Sequence, residues 1–344
     1  MKLSFVLLLA LLFILGLSSC KKNITEPDLN SPQPGRRDYV WTEDTICSVD
    51  HPDMVVVRMW GHKPNDIWYS STNSSFYTNL WHYDGRKVSV DSVFRPINSP
   101  WALFGFSAND VWLSSYDNEI WHYDGSEWKR FGIYIKEGYE FITIMNFWGK
   151  SPDDIYAVGL ANDRKNPIGI IMHFDGKDWT FLDIPDINYC FNDIRFKKSA
   201  NTYYIEAFAF DISDSSKYYS LKDGSLKEIY CTHEIASINN IEDEVYFVIG
   251  KKIYKRINES FQLWKDYSDQ LKFNQIWGTS EQNCFHETYN GIAHYNGKDL
   301  ELLYKTKNTI CEGLIFENEV FFLTYNFYTM NNIIIRGRLK EVNE

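Results

Sequence analysis

"EIWHYDGSEW", Glu119 to Trp128, decides the fold because the chain writes it more than once. "NLWHYDGRKV" (79–88) precedes it, and "IIMHFDGKDW" (170–179) and "GIAHYNGKDL" (291–300) follow. A histidine beside a carboxylate or amide, repeated four times, is either a set of metal ligands or a piece of scaffold. The surrounding sequence separates the two.

A second phrase recurs ahead of the first. "MWGHKPNDIWYS" (59–70), "LFGFSANDVWLS" (103–114) and "NFWGKSPDDIYAV" (146–158) align without gaps on Trp60, Phe104 and Trp148, 44 residues apart. "IWGTSEQNCFHE" is a weaker copy on Trp277, and "IRFKKSANTYYIE", "NNIEDEVYFV" and "IFENEVFFL" are degenerate ones. The polar residue closing the turn gives seven markers, at Asp66, Asp110, Asp154, Thr202, Glu244, Asn283 and Glu319. Their intervals are 44, 44, 48, 42, 39 and 36. A period near 40 with several short aromatic or β-branched runs per unit predicts propeller blades. No window sustains a 3.6-residue period with caps, which argues against helices.

One unit parses into four strands: "WALFGF" inside, then "VWLSS", "EIWHY" and an outer "EWKRF". The Asp-Gly or Asn-Gly pairs at Gly85, Gly125, Gly176, Gly224 and Gly297 supply the positive φ of the last hairpin. The predicted fold is all-β, a seven-bladed propeller of four-stranded antiparallel blades. The last unit, from about Thr309, holds only three strands, so "RDYVWTED" (37–44) is expected to complete it, with Trp41 matching Trp128 and Trp179. Such closure removes the exposed sheet edge.

The ends predict an address. "MKLSFVLLLALLFILGLSSC" has a basic start, a short apolar run and small residues before Cys20, the pattern of a secretory signal. Its last four residues resemble the bacterial lipobox, which implies lipidation of Cys20. Lys21 in place of Asp implies the outer membrane. Residues 1–20 are thus expected to be a lipoprotein signal peptide, 21–37 a flexible tether containing three prolines, and 38–344 the propeller. The expected location is the bacterial cell envelope, with membrane contact only through the lipid anchor. Five cysteines remain after Cys20, an odd number, so at least one thiol stays unpaired within the chain, and the connectivity stays open.

With these residues in view, the chain resembles bacterial lipoprotein β-propellers with tectonin-like or Kelch-like repeats. The resemblance covers 38–344 and is strong in the first three units. Tectonin-like propellers bind carbohydrate or lipid surfaces, which implies a binding function by analogy.

Composition narrows the chemistry. The formal net charge is −11, and no Lys/Arg cluster occurs after residue 37, which argues against nucleic acid. Aromatic residues reach 17%, chiefly a packing resource. His82, His122, His173 and His294 sit on different blades, too far apart to share one ion, and are expected to pack and hydrogen-bond within the blades. The "HETYNGIAH" hairpin (286–294) is expected to set Glu287 opposite His294 as a salt bridge. No nucleophile elbow, HExxH or phosphate loop occurs, no metal is expected and no cofactor is called for. Paired carboxylates such as Asp153-Asp154 and Asp243-Glu244 fall in turns, where capping explains them.

The first-to-second and third-to-fourth turns are short and uniform, whereas the other connections are long and dissimilar. Varied loops on one rigid face make a binding surface. On it Trp101, Tyr116, Tyr139, Arg164 and Tyr189 are the candidate ligand-binding residues, each also a plausible loop anchor. The expected function is a monomeric, lipid-anchored envelope protein that binds a glycan or a protein partner. The alternative is a carbohydrate-active enzyme, a glycoside hydrolase or glycosyl transferase, using carboxylates on the same face.

Overall fold

The computed structural model describes residues 33–47, 54–72, 79–90, 97–116, 118–163, 166–210 and 215–341. Cys20, most of the 21–37 segment and Arg164 lie outside them. The described chain forms seven four-stranded antiparallel sheets, and its one helical element is a 3-10 turn at Lys198–Ala200.

Blade one holds β2 (Val55–Lys63), β3 (Asp66–Thr72), β4 (Leu80–Tyr83) and β5 (Val88–Val90), ordered from the channel outward. Blade two holds β6 (Leu103–Ser107), β7 (Asp110–Ser114), β8 (Glu119–Tyr123) and β9 (Trp128–Ile133). Blade three holds β10 (Phe141–Ser151) through β13 (Trp179–Phe181), and blade four β14 (Tyr189–Lys197) through β17 (Ser225–Thr232). Blade five runs from β18 (Ala236–Ile241) to β21 (Ser260–Asp266), and blade six from β22 (Leu271–Ser280) to β25 (Leu300–Lys305). Blade seven takes β26 (Thr309–Ile315), β27 (Glu319–Asn326) and β28 (Asn331–Leu339), with β1 (Tyr39–Ile46) as its outer strand.

The N-terminal strand therefore closes the ring as the sequence predicts. It pairs with β28 over eight residues, from Tyr39 opposite Leu339 to Ile46 opposite Asn332. Trp41 lies against Tyr304, with ring centroids 5.2 Å apart. The marker residues Asp66, Asp110, Asp154, Thr202, Glu244, Asn283 and Glu319 each open the second strand of a blade.

The core lies between blades and is aromatic. Trp112 is buried against Phe174 and Trp179 of the next blade, at 4.9 and 5.6 Å. Trp68 meets Tyr123 and Trp128 of blade two in the same way, at 5.1 and 5.4 Å. Tilted and edge-on contacts of this kind add stabilisation beyond the buried area. The Trp-Gly pair of the repeat has a physical cause. A Cβ on Gly105 would stand 2.7 Å from the Trp60 ring of the preceding blade, so glycine makes room for its neighbour's tryptophan.

The Asp-Gly loops carry more than a positive φ. In blade two, Tyr123 pairs with Trp128, leaving the four residues 124–127 in the loop. The Asp124 carboxylate accepts the N–H groups of Ser126 and Glu127 at 2.9 and 3.0 Å. Asp223-Gly224 instead forms a two-residue turn with both φ values positive, as does Asn258-Glu259 at the same place in blade five. Gly125 has φ +89°, and a Cβ there would meet the Asn109 side chain at 2.4 Å. Gly125→Ala is therefore expected to destabilise by about 1–2 kcal/mol. Urea titration checks this, and an unchanged midpoint would contradict the argument.

The five described cysteines are free thiols, and Cys190 and Cys284 are buried. The segment ahead of β1 is pinned to blade six. Gly35 N–H donates to the Asn296 carbonyl at 2.9 Å, and Arg37 pairs with Asp299 and Glu301 at 2.7 and 2.8 Å. The compact unit starts at Pro34.

Candidate functional site: the loop face and the central channel

The repeated histidines are scaffold. Nε2 of His82, His122 and His173 lies 2.7, 2.8 and 2.9 Å from the carboxylate of Asp66, Asp110 and Asp154, each on the strand beside it. His294 meets Asn283 in the same way at 2.9 Å. Each ring also lies on the aromatic residue directly across the hairpin: Trp68, Trp112, Tyr156 or Phe285, at 4.3–4.5 Å. A histidine held by the second-strand marker on one edge and an aromatic ring on its face is committed to the blade. Among the described residues no three His, Cys, Asp or Glu side chains cluster as a metal site.

The proposed Glu287–His294 pair is corrected by the register. Glu287 lies opposite Ile292, and His294 opposite Phe285. Thr288 and Gly291 flank the turn, so the hairpin closes on Tyr289-Asn290, one residue earlier than the glycine suggests. Glu287 instead accepts the Ile310 N–H of blade seven at 3.1 Å. Both His286 and His294 are buried, and burial holds each imidazole down to about 3.

In each blade the first-to-second and third-to-fourth turns leave by one face, the turn face. The remaining connections form the loop face. Trp101 is partly buried, its N–H donating to the Ser114 carbonyl at 3.1 Å. Tyr116 is exposed and lies 5.5 Å from Phe141 of blade three. Tyr139 packs on the core of blade three, where burial raises its phenol pKa. Tyr189 opens β14, shares a 2.7 Å hydrogen bond with Ser215 and carries the Lys217 ammonium 4.7 Å above its ring. Tyr189 and Lys217 line a groove of about 410 Å³. Trp101, Tyr116 and Tyr139 thus fall on neighbouring blades two and three, with Tyr189 one blade further on.

The most exposed aromatic residues described on this face lie apart from the sequence candidates. The β27–β28 hairpin tip carries Phe327, 68% exposed, Tyr328, 96% exposed, and Met330. Tyr289 of blade six, Phe208 of blade four and the blade-linking Ile235 are also exposed on this face. Polar residues ordinarily fill hairpin tips, and "NFYTMNN" (326–332) breaks that rule, which is the signal that was available.

The inner strands enclose a central channel of about 360 Å³. Two tiers of side chains line it, and each blade adds one residue to each tier. The tier nearer the turn face includes Trp60, Phe104, Trp148 and Trp277, with Arg195 and Asn239 from blades four and five. The second tier includes Arg58, Asn146, Asp193, Gln275 and Glu312. Bulges beside Arg58, Asn146, Asp193 and Glu312 shape this tier. Such kinks re-aim side chains.

Most of these polar groups latch one blade to the next. Asn146 donates to Asp193 at 2.8 Å, Asn239 to the Ile276 carbonyl at 2.6 Å, and the Met59 N–H to Glu312 at 2.8 Å. Arg195 pairs with Asp193 at 2.5 Å and lies 5.0 Å from the Trp148 ring. Behind them Glu206 is 2% exposed and accepts from Asn192 at 2.8 Å. Burial, with a smaller contribution from Asp193, raises Glu206 to about 8. Burial also raises Asp193 and Glu312, against the opposing pull of the nearby Arg58.

No family model matches the chain, and no curated protein does. Among solved structures it is similar to YCF48 bound to D1 peptide, at 14% identity and TM-score 0.63, covering 88% of this chain and 97% of that one. It is similar to YCF48 from Cyanidioschyzon merolae, at 13% and 0.58, covering 87% and 99%. An oligogalacturonate lyase in complex with manganese matches at 10% and 0.62, covering 88% and 97%. At these identities the likeness is one of fold, and it agrees with the strand order: the chain is a seven-bladed β-propeller.

Proposed function

We propose that this protein is a lipid-anchored component of the bacterial envelope that binds a protein partner through its loop face. The observation that carries this reading is the exposed apolar set at Phe327, Tyr328, Met330 and Tyr289, on adjacent blades six and seven. Exposed aromatic residues on a rigid hairpin are the side chains that dominate protein interfaces. A neighbouring propeller, YCF48, has been captured with a D1 peptide, which supports a protein partner over a glycan. For the anchor, the lipobox-like end of the leader and Cys20 are the support.

The carbohydrate-active alternative finds less support. Glu206 is buried behind Asn192, and Asp193 is committed to Arg195 and Asn146.

A photo-crosslinking residue at position 328 is expected to yield a discrete protein adduct in cells, whereas one at position 126 on the turn face yields none. Equal adducts from both positions, or none from either, would sink the reading. Cys20→Ala is expected to move the protein from the membrane fraction to the soluble one. Once the partner is isolated, Tyr328→Ala should weaken binding about 30-fold.

A further inference from the structure

We infer that the central channel is a separate ligand site, built for a neutral sugar of one or two rings. The channel and the loop-face hairpin share no residues, so this inference stands or falls independently of the proposed protein partner. A volume of about 360 Å³ lies at the small end of the range for small-molecule sites.

The two tiers supply the two halves of sugar recognition. Trp60, Phe104 and Trp148 are half-buried and line the channel, Trp148 with the Arg195 guanidinium over its ring, and the apolar surface they leave uncovered can meet the C–H face of a pyranose ring. One tier deeper stand planar polar groups that can take hydroxyls in pairs.

Arg58 is the group the fold leaves over. Its neighbours are committed to blade-to-blade hydrogen bonds, whereas among the described residues Arg58 makes one, from Nη1 to the carbonyl of its own neighbour Val57 at 3.2 Å. No carboxylate lies in ion-pair contact with it among the described residues, although it stands near enough to Asp193 and Glu312 for its charge to act on both. A guanidinium has five donors in a fixed fork, so most of Arg58 remains available to ligand oxygens. Hydroxyls suit the gap between a cation and two carboxylates because each both donates and accepts.

The charge balance selects against ions. Arg58 and Arg195 offset Asp193 and Glu312 within the channel, so an anion would face two carboxylates and a cation two guanidinium groups. Neutral sugars avoid both penalties.

The test is calorimetric titration and thermal shift of the purified propeller with glucose, galactose, mannose, N-acetylglucosamine, maltose and cellobiose, with galacturonate as the charged probe. At least one neutral sugar is expected to bind below about 10 mM. Arg58→Gln and Trp148→Phe are each expected to weaken it by about tenfold or more, while Tyr328→Ala leaves it unchanged. Arg58→Lys keeps the charge and should lose part of the affinity, which serves as the measurement should Arg58→Gln fail to fold. Silence from every neutral sugar, binding of galacturonate alone, or affinity indifferent to the Arg58 and Trp148 variants would overturn the inference.

Discussion

Deleting residues 38–46 is expected to lower the melting temperature by more than about 10 °C and to drive self-association. This is the largest effect the fold predicts. The segment supplies all of β1, eight residues paired with β28, and buries Tyr39 and Ile46. Its Trp41 ring stands 2.7 Å from where a Cβ on Gly337 would be, packing over the glycine beside Val320 of β27. Loss of β1 leaves β28 with an unpaired edge and strips the outer layer from the cluster around Phe285 and Phe322. Each kcal/mol lost shifts the melting point by about 2–4 °C in domains of nearly this size. Circular dichroism melts and size-exclusion profiles measure both consequences, and a synthetic peptide of residues 34–47 should restore the melting point. A deletion variant that melts with the full chain and stays monomeric would show that ring closure is dispensable.

The blade plan was legible because its chemistry is local and repeated. Asp110, His122 and Trp112 meet one another within one unit, and Asp124-Gly125 folds its own loop there, so the motif carries its own explanation. The same offsets find the second strand even in the fourth, fifth and seventh units, where the motif has decayed, because strand spacing outlasts residue identity. Register inside a hairpin is less visible. The pair Asn290-Gly291 suggests a turn centred on itself, but Gly291 belongs to β24, and that one-residue slip turns Glu287 away from His294.

The channel was illegible for a different reason. Arg58, Asn146, Asp193 and Glu312 come from four blades and reach one tier through backbone bulges that no local pattern announces. They read in sequence as isolated polar residues inside apolar strands. The loop-face hairpin was hidden for a third reason: Phe327 and Tyr328 sit in a degenerate unit, where no repeat framed them as an insertion.

Stability against pH is expected to peak near pH 6.5, with two limbs of separate origin. On the acid side stand His286 and His294, buried in blade six. His286 faces Tyr267 and His294, and His294 faces Asn283, Phe285, Tyr39 and Arg37. Burial holds both imidazoles at about 3 in the folded protein, against 6.5 for the ordinary group. The unfolded chain therefore takes up protons first as pH falls below 6.5, and stability is lost from there downward. Two groups over two pH units cost about 5 kcal/mol at pH 4.5. On the alkaline side stands Glu206, raised by burial to about 8 from 4.5 and faced by Asn192, Asp193 and Tyr218. Its folded form keeps the proton that the unfolded chain releases, so its contribution is complete below pH 4.5 and is lost as pH rises toward 8. That opposite slope returns about 2.7 kcal/mol between pH 6.5 and 4.5, leaving a net acid loss of about 2.5 kcal/mol. Above 6.5 the imidazoles no longer titrate, and Glu206 costs about 2 kcal/mol by pH 8. Urea titrations from pH 4.5 to 8 should trace this dome. Glu206→Gln, which fixes the neutral form while keeping an acceptor for Asn192, should flatten the upper limb and make the protein more stable than wild type at pH 8. The double variant His286→Gln/His294→Gln should invert the lower limb, so that stability rises by about 2.7 kcal/mol from pH 6.5 to 4.5, and should leave the upper one in place. If Glu206→Gln destabilises at pH 8 as much as at pH 5, the carboxyl is ionised in the folded channel, and the charge balance there must be redrawn.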